Sequence, residues 1–203
     1  MTNSIDTFKT LLRSTNREGM ETLIKWLDDS DFFTAPASTR YHSCHKGGLL
    51  EHSLNVYRCL KEKANQPIWK EVFAEIGGDS VIIAALLHDI CKANFYEIEY
   101  RNKKIYSENG SKKDEAGRFD WQSVPCYTIN DQNPLGHGAK SAIILQNFIK
   151  LKSCELYMIL YHMGFSEPKE TYNSLGSAIK LHPEIIAINE ADLEATYLLE
   201  EEN

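Results

Sequence analysis

The sequence predicts a mainly helical protein with one small β-sheet segment at about residues 95–130. Through most of the chain, hydrophobic residues recur at intervals of three and four, which places them on one face of a helix. Between residues 95 and 130 this pattern gives way to aromatic-rich stretches with partial alternation, which is typical of strands. The 203 residues, 42% of them hydrophobic, are enough for one substantial core, so we expect a single domain over residues 1–203.

The first three helices follow from hydrophobic spacing and from the residues that interrupt it. Two helices before residue 30 are indicated by Ile5, Phe8, Leu11 and Leu12 and by Met20, Leu23, Ile24 and Leu27. The segment 32–48 is predicted to be a loop, because it contains Pro36, several small polar residues and Gly47-Gly48. A third helix is expected to begin at Leu49.

The helix that follows is predicted to be buried. Pro67 is expected to open a short helix, since proline is favoured in a first turn, and Gly77-Gly78 to end it. Asp79 or Ser80 is then expected to cap the next helix, because these side chains accept hydrogen bonds from a first turn. An uninterrupted apolar run over residues 81–87 leaves this helix no polar face to present to solvent.

The β segment is predicted to contain three short strands. Residues 95–100 and 105–106 are the first two, with a turn over residues 101–104. The third covers residues 121–129 and is expected at a sheet edge, because Pro125 cannot donate to a ladder. Helical spacing then returns over residues 137–151 and 154–163, and again at Ile185, Ile186, Leu193, Leu198 and Leu199.

Charge and cysteine usage exclude several classes of protein. The formal net charge is −7, so we expect no global basic surface and no binding of long DNA. Five scattered cysteines without a CxxC motif argue against a disulfide framework and a Cys-based zinc site, and favour a reducing compartment. No secretory signal is visible and the longest apolar run is too short to span a bilayer. We expect a cytoplasmic protein without membrane contact, and the oligomeric state stays open.

A set of histidines and aspartates indicates a metal site. His88-Asp89 ends the apolar run, and both side chains are costly to bury without partners. A divalent cation at the edge of a pocket satisfies both. Further candidate ligands follow one another along the chain: His52, His137, His162 and Asp192. Histidine and carboxylate ligands without thiolate suit Zn, Mn, Fe, Co or Ni at a catalytic, water-bearing site.

Each of these outlying residues also has a simpler explanation. His52 alone fits a buried histidine bonded to backbone, and His137 fits a helix cap between two glycines. His162 fits a cation at a helix C-terminus, and Asp192 a cap or a solvated face. Each simple explanation is adequate for its own residue. It is much less expected that all of these residues are explained in this way at once. Of the remaining histidines, His45 is a candidate substrate contact, and His42 and His182 are expected to face solvent.

The ordered set resembles the HD superfamily of metal-dependent phosphohydrolases, whose pattern is His … His-Asp … Asp on a helical bundle. Here the pattern is His52, His88-Asp89 and Asp192, and the resemblance covers roughly residues 40–195. His137 and His162 resemble the extended version with a second metal site. His88-Asp89-Ile90-Cys91-Lys92 is similar to the family's His-Asp-Ile-Gly-Lys, with Cys91 at the glycine position, and residues 47–53 resemble the HD-type 3′→5′ exoribonucleases. The β segment is not part of the common core.

The resemblance implies hydrolysis of a phosphoester or phosphoanhydride of a nucleotide or short nucleic acid. It implies two divalent metals per chain (Mn, Fe, Zn, Co or Ni, with Mg as a further option). Asp89 would bridge them, and a bridging water would attack phosphorus. The ligands would be His52, His88 and Asp192 on one metal and His137 and His162 on the other. A catalytically silent, nucleotide-sensing module with the same fold is the alternative.

Several cations are candidates for phosphate or substrate binding. Lys92 lies about one helical turn past His88 and is assigned both a catalytic and a substrate-binding role, although a solvated lysine at a helix end explains it equally well. Arg101 and Lys104 in the β segment are further candidates, and a solvated hairpin turn is the simpler explanation for each. Lys140, in the same segment as His137, is the last.

Overall fold

Helices supply most of the structure, as hydrophobic spacing predicts. The computed structural model describes residues 2–39 and 43–200. Within these residues the helices are α1 (Thr2–Ser14), α2 (Met20–Asp29), α3 (Gly48–Ala64), α4 (Lys70–Ile76), α5 (Gly78–Leu87), α6 (His137–Gln146), α7 (Ser153–Leu160), α8 (Tyr172–Leu181) and α9 (Glu184–Glu194). Short 3₁₀ turns lie at Ile90–Lys92, Gly164–Ser166 and Lys169–Thr171, and a π turn at Ala195–Leu199.

Helix α5 is the central element, and its apolar sequence explains its position. Its residues from Ile83 to Leu87 are completely buried. It packs against α1, α3, α4 and α7, and α3 in turn packs against α9. Helix α6 packs against α7 and against the turn Ile90–Lys92. The C-terminal end of α5 is therefore surrounded by α3, α6, α7 and α9. Among the described residues, no helix combines the length and hydrophobicity needed to cross a membrane.

The predicted cap of α5 is wrong. The N-cap residue is Gly77, and no side chain caps the helix. Asp79 instead forms ion pairs with Arg17 and Lys152, both at 3.0 Å, and Ser80 donates its hydroxyl to Glu155 at 2.8 Å. Residues from distant parts of the chain therefore bind the side-chain oxygens of Asp79 and Ser80, which the local sequence predicts to be helix caps.

The β segment forms a three-stranded antiparallel sheet in the order β1-β3-β2. The strands are β1 (Tyr96–Tyr106), β2 (Lys112–Asp114) and β3 (Gly117–Ile129). The predicted turn at residues 101–104 is wrong, because β1 pairs with β3 along its whole length and continues through these residues. The predicted edge position of the third strand is wrong, because β3 is the middle strand of the sheet. Strand β2, however, pairs only with residues 117–119. At Pro125 only the β1 side is paired, so its missing N–H is tolerated.

The sheet extends away from the helices. Every residue of β1 after Tyr96 is exposed, and in β3 only Phe119 is buried. Tyr96 anchors the near end, since its hydroxyl donates to the carbonyl oxygen of Ala37 at 3.1 Å. The hydrophobic core therefore belongs to the helices, and the sheet is an appendage to it.

Candidate metal centre

Five of the six predicted metal ligands meet at the C-terminal end of α5. His52 Nε2 lies 3.1 Å from Asp192 Oδ1 and 3.9 Å from Asp89 Oδ2. His88 Nε2 lies 3.5 Å from Asp89 Oδ2, and His162 Nε2 lies 3.6 Å from Asp89 Oδ1. The residues come from α3, from the end of α5, from the turn after α7 and from α9. Packing of the other three segments around the end of α5 therefore brings together residues up to 140 positions apart.

The backbone explains how Asp89 reaches the middle of this group. Helix α5 ends at Leu87, and His88 keeps helical angles at its C-cap. Asp89 then adopts φ −107° and ψ 22°, in the bridge region that many active-site residues occupy. The next three residues form a 3₁₀ turn. Both side chains of the His-Asp pair are thereby buried against neighbouring helices.

The ligand-type atoms fall into three close groups, in each of which they lie within 4.8 Å of one another. The groups are His52, His88 and Asp192; His88, Asp89 and His162; and Asp89, Cys91 and His137. Asp89 belongs to two of the groups, in keeping with a bridging position. His137, the sixth predicted ligand, joins the cluster through Asp89 and Cys91. Within the described part of the chain, no close group holds both His137 and His162.

Hydrogen bonds fix the orientation of the buried imidazoles. His88 Nδ1 lies 2.9 Å from the carbonyl oxygen of Ala85, and His162 Nδ1 lies 2.8 Å from that of Ile159. A carbonyl only accepts, so in each ring Nδ1 carries the proton and Nε2 keeps its lone pair. Both Nε2 atoms point toward Asp89.

Three buried polar atoms at this position have no hydrogen-bond partner among the described residues: His88 Nε2, His162 Nε2 and Asp89 Oδ1. Buried polar atoms are rarely left unpaired, because the loss of water costs free energy. Two imidazole lone pairs and a carboxylate oxygen are all electron donors, and donors cannot satisfy one another. A divalent cation satisfies all three, so the residues fit a metal ion.

Glu200 is a functional candidate that the sequence does not single out. Its carboxylate is completely buried and lies 3.1 and 3.2 Å from His52 Nδ1. It also accepts hydrogen bonds from Ser43 Oγ at 2.9 Å and Asn55 Nδ2 at 3.0 Å. A carboxylate on the second nitrogen of a metal-binding histidine orients the ring and increases its basicity. In the sequence, Glu200 begins a run of three glutamates, a pattern that normally indicates a solvated segment.

The charges of the site compensate one another. Burial alone would lower the pKa of His52, but hydrogen bonds with Asp192 and Glu200 outweigh it and raise this pKa to about 9. Burial would likewise raise the pKa of Asp89, but the positive charge of Lys92 and the nearby histidines bring it well below its usual value. Without metal, the acidic centre is therefore neutralised by a protonated histidine and a lysine.

Lys92 is the one predicted phosphate contact that reaches the metal centre. Its Nζ lies 2.7 Å from Asp89 Oδ2, and its side chain is 12% exposed. Burial opposes its charge, but Asp89 raises the pKa of Lys92, so the ammonium stays charged. Lys92 is the last residue of the 3₁₀ turn that follows Asp89. The alternative of a solvated lysine at a helix end is therefore wrong.

The other predicted substrate contacts have partners elsewhere. Arg101 pairs with Glu99 and Lys104 with Asp114, on exposed parts of β1. At about 3.3 Å per residue, these cations stand roughly 16 and 26 Å along the strand from Tyr96, so the structure does not bring them to the metal centre.

Lys140 is a residue of α6, and His45 lies just before α3. Lys140 is buried and pairs with Asp131 at 2.6 Å. His45 Nε2 lies 3.6 Å from Glu51 of α3.

The prediction that His182 and His42 face solvent can be checked for His182. His182 does not simply face solvent: its ring stacks on Tyr157 with centroids 4.4 Å apart, and its Nδ1 lies 3.0 Å from Glu184. The expectation of a solvated His182 is therefore wrong. His42 lies outside the described residues.

Comparisons with known proteins agree with this geometry. The model of the HD domain family matches residues 49–196, which include all six predicted ligands. A protein named dihydroneopterin 2′,3′-cyclic phosphate phosphodiesterase, from Methanocaldococcus jannaschii, is 40% identical over 63 residues. That match covers 30% of this chain and 24% of the relative, so the chain spans about a quarter of the relative's length. No solved structure matches the chain.

Proposed function

The chain belongs to the HD-domain family, and we propose that it is a phosphohydrolase that cleaves a phosphoester or phosphoanhydride of a nucleotide or short nucleic acid. The observation that carries the proposal is the convergence of the unpaired donor atoms of His88, Asp89 and His162. A structural histidine cluster would pair these atoms with protein donors. In this protein the three atoms have no such donors among the described residues, and a bound cation would pair with all of them. In HD-domain proteins the cation of such a site serves hydrolysis.

The residues have separate roles in this proposal. Asp89 lies beside His52 and His88 and also groups with Cys91 and His137. We propose that it bridges two ions and that His52, His88 and Asp192 complete the first site. We propose His137 and His162 as ligands of a second ion that shares Asp89. A bound cation supplies an activated water and neutralises charge on the phosphoryl oxygens. His88 and His162, with their Nδ1 protons held by backbone carbonyls, are fixed in the orientation that binding requires.

Lys92 is proposed to bind the substrate phosphate. It keeps its positive charge, lies against Asp89 and is partly open to solvent. A phosphoryl oxygen that approaches the centre meets this ammonium at its rim. Positive charge placed where negative charge develops in the transition state is worth about 10²–10³-fold in rate.

The part of the substrate beyond its phosphate is proposed from the name of the relative. The relative from Methanocaldococcus jannaschii is named for the hydrolysis of a cyclic phosphodiester, which supports a phosphodiester of a small, nucleotide-derived molecule as substrate. Nucleotidase and exonuclease activities are the other members of the same reaction class. A nucleotide-sensing module without turnover is the competing function, and the retention of the complete ligand set argues against it.

Two substitutions test the proposal. Asp89→Ala removes a carboxylate that two of the ligand groups share, so it should abolish hydrolysis and lower metal content together. Lys92→Ala should leave metal content intact and lower turnover about 10²–10³-fold. Lys70→Ala, at the exposed start of α4, is the control and should change neither.

The assay is a panel of nucleotides, cyclic nucleotides and short oligonucleotides, with Mn, Fe, Co, Ni, Zn and Mg tested in turn. Metal content is measured by elemental analysis of protein purified without chelator. Tight binding of a nucleotide without turnover by any metal form would refute the hydrolase and support the sensing module.

A further inference from the structure

We propose that Cys91 is a metal ligand, so that the second metal position has sulfur, imidazole and carboxylate donors from Cys91, His137 and Asp89. This inference rests on the metal centre of the proposed function and deepens it, because it specifies the chemical type of the second site. It concerns a residue of this chain that stands where the similar family motif has glycine.

The spacing of the donor atoms supports the assignment. Cys91 Sγ lies 3.6 Å from His137 Nδ1, and ligand atoms of Asp89, Cys91 and His137 lie within 4.8 Å of one another. A tetrahedral ion with bonds of about 2.3 Å to sulfur and about 2.0–2.1 Å to nitrogen holds these two atoms roughly 3.5 Å apart. The sulfur and nitrogen therefore already have the separation that a shared ion requires.

His137 differs from the other histidines of the cluster in a way that fits this role. In His52, His88 and His162, an oxygen lies against Nδ1 and Nε2 faces the site. Among the described residues, the hydrogen-bond partner found for His137 Nδ1 is Cys91 Sγ. His137 thus presents Nδ1 to the sulfur, with no carbonyl or carboxylate committed to that nitrogen.

The local backbone explains how a side chain fits at this position. Cys91 lies in the 3₁₀ turn Ile90–Lys92 and is not among the residues with positive φ, so the conformation does not require glycine. Its N–H donates to Ser141 Oγ on α6 at 3.3 Å, which fixes the turn against the helix that carries His137. At 4% exposure, the sulfur is held away from solvent and beside two residues of ligand type.

The donor set has a chemical consequence for the metal. Coordination replaces the thiol proton, which is released to solvent, and leaves a sulfur–metal bond. Sulfur donors favour zinc, iron and cobalt over magnesium, which prefers oxygen ligands. The second position should therefore discriminate against Mg more strongly than a site of histidine and carboxylate alone.

Cobalt(II) is the probe that tests the assignment, because a thiolate ligand adds a sulfur-to-cobalt charge-transfer band in the near ultraviolet. The band is expected in the wild-type protein loaded with Co²⁺ and absent from Cys91→Ser, a nearly isosteric change. Cobalt affinity at the second site should fall by more than about 100-fold, because loss of a direct ligand costs more than loss of a group that only orients one. The control is Cys154→Ser, which should keep the band. Cys154 is half-buried, and its thiol donates a hydrogen bond to Ser80 away from the metal centre.

The outcomes separate the two proposals. Visible cobalt absorption without a charge-transfer band, unchanged in Cys91→Ser, overturns the sulfur ligand and leaves the proposed function standing. Failure of the wild-type protein to bind Co²⁺ or any other divalent ion overturns both. X-ray absorption at the zinc edge of the wild-type protein needs no variant. A sulfur scatterer at about 2.3 Å supports the assignment, and a first shell of nitrogen and oxygen alone refutes it.

Discussion

Replacement of Gly138 by alanine is expected to push helix α6 away from α7 and disturb the metal centre. A Cβ at this position would lie 2.1 Å from the carbonyl oxygen of Leu160 and 2.6 Å from that of Ile159. A normal carbon–oxygen contact is about 3.3 Å or longer, so the helices must separate by roughly 1 Å. Both clashing atoms are backbone and cannot rotate away. His137, the neighbouring residue on α6, must move with the helix relative to Asp89.

The magnitude follows from two opposing effects. Overpacking costs about 1–3 kcal/mol, and a backbone clash belongs at the upper end of that range. Alanine regains about 1 kcal/mol of helix propensity, which leaves a net loss of roughly 2 kcal/mol. For a chain of this size, the melting temperature should fall by about 4–8 °C. A displacement of about 1 Å at the centre should cost about 10²-fold in turnover.

The assays are thermal unfolding in chelator and elemental metal analysis, followed by turnover once a substrate is known. Gly176→Ala is the matched control, because this glycine also lies in a helix but a Cβ there meets no atom within 4 Å. It should raise the melting temperature slightly and leave metal content unchanged. If Gly138→Ala melts and binds metal like the wild type, close contact of α6 and α7 does not hold His137 in place and the reasoning is refuted.

Three further predictions concern the charged groups. Glu200→Ala should lower metal affinity about 10–100-fold. Glu200→Gln should lower it less, because an amide oxygen still accepts a hydrogen bond from His52. Calorimetric titration with Co²⁺ measures both affinities, and equal affinities of the two variants would contradict the orienting role of Glu200. Arg17→Ala should destabilise the protein by about 3 kcal/mol in urea unfolding, because the fully buried Glu155 loses its cation, whereas Arg13→Ala, in an exposed pair, should have little effect. The pKa of His52 rises on folding from 6.5 to about 9, so its contribution to stability is fully present below pH 6.5 and is lost as the pH rises through about 9. The metal-free protein should therefore melt at lower temperature across this range, and a His52→Gln variant that keeps the same slope would disprove this.

Local patterns in the sequence predicted most of the helices, although α8 was not predicted and α4 begins at Lys70 rather than at Pro67. They also singled out the residues that meet at the end of α5. The apolar run before His88 can be buried only as a central helix, and α5 is that helix. His52 and Asp192 could be predicted because residue type and order along the chain are sequence properties. Lys92 was placed at the centre by the same reasoning, since a short segment after Asp89 cannot move far from it.

Where distant segments compete for the same atoms, local patterns were insufficient. Asp79 has the chemistry of a helix cap, but Arg17 and Lys152 take its carboxylate. Residues 101–104 have the composition of a turn, but the pairing of β1 with β3 along its whole length keeps them in an extended strand conformation. In both cases several tertiary contacts outweigh a single local preference.

The sequence by itself determined the fold class, the family resemblance and the types of ligand available. Only the tertiary structure decided that Glu200 turns inward to orient His52 and that Cys91 faces His137. A solvated acidic run and an isolated cysteine are the ordinary interpretations of these residues. The physical reason is that donor geometry depends on atomic separations of a few ångströms between segments far apart in the chain, and packing of the helices alone sets those separations.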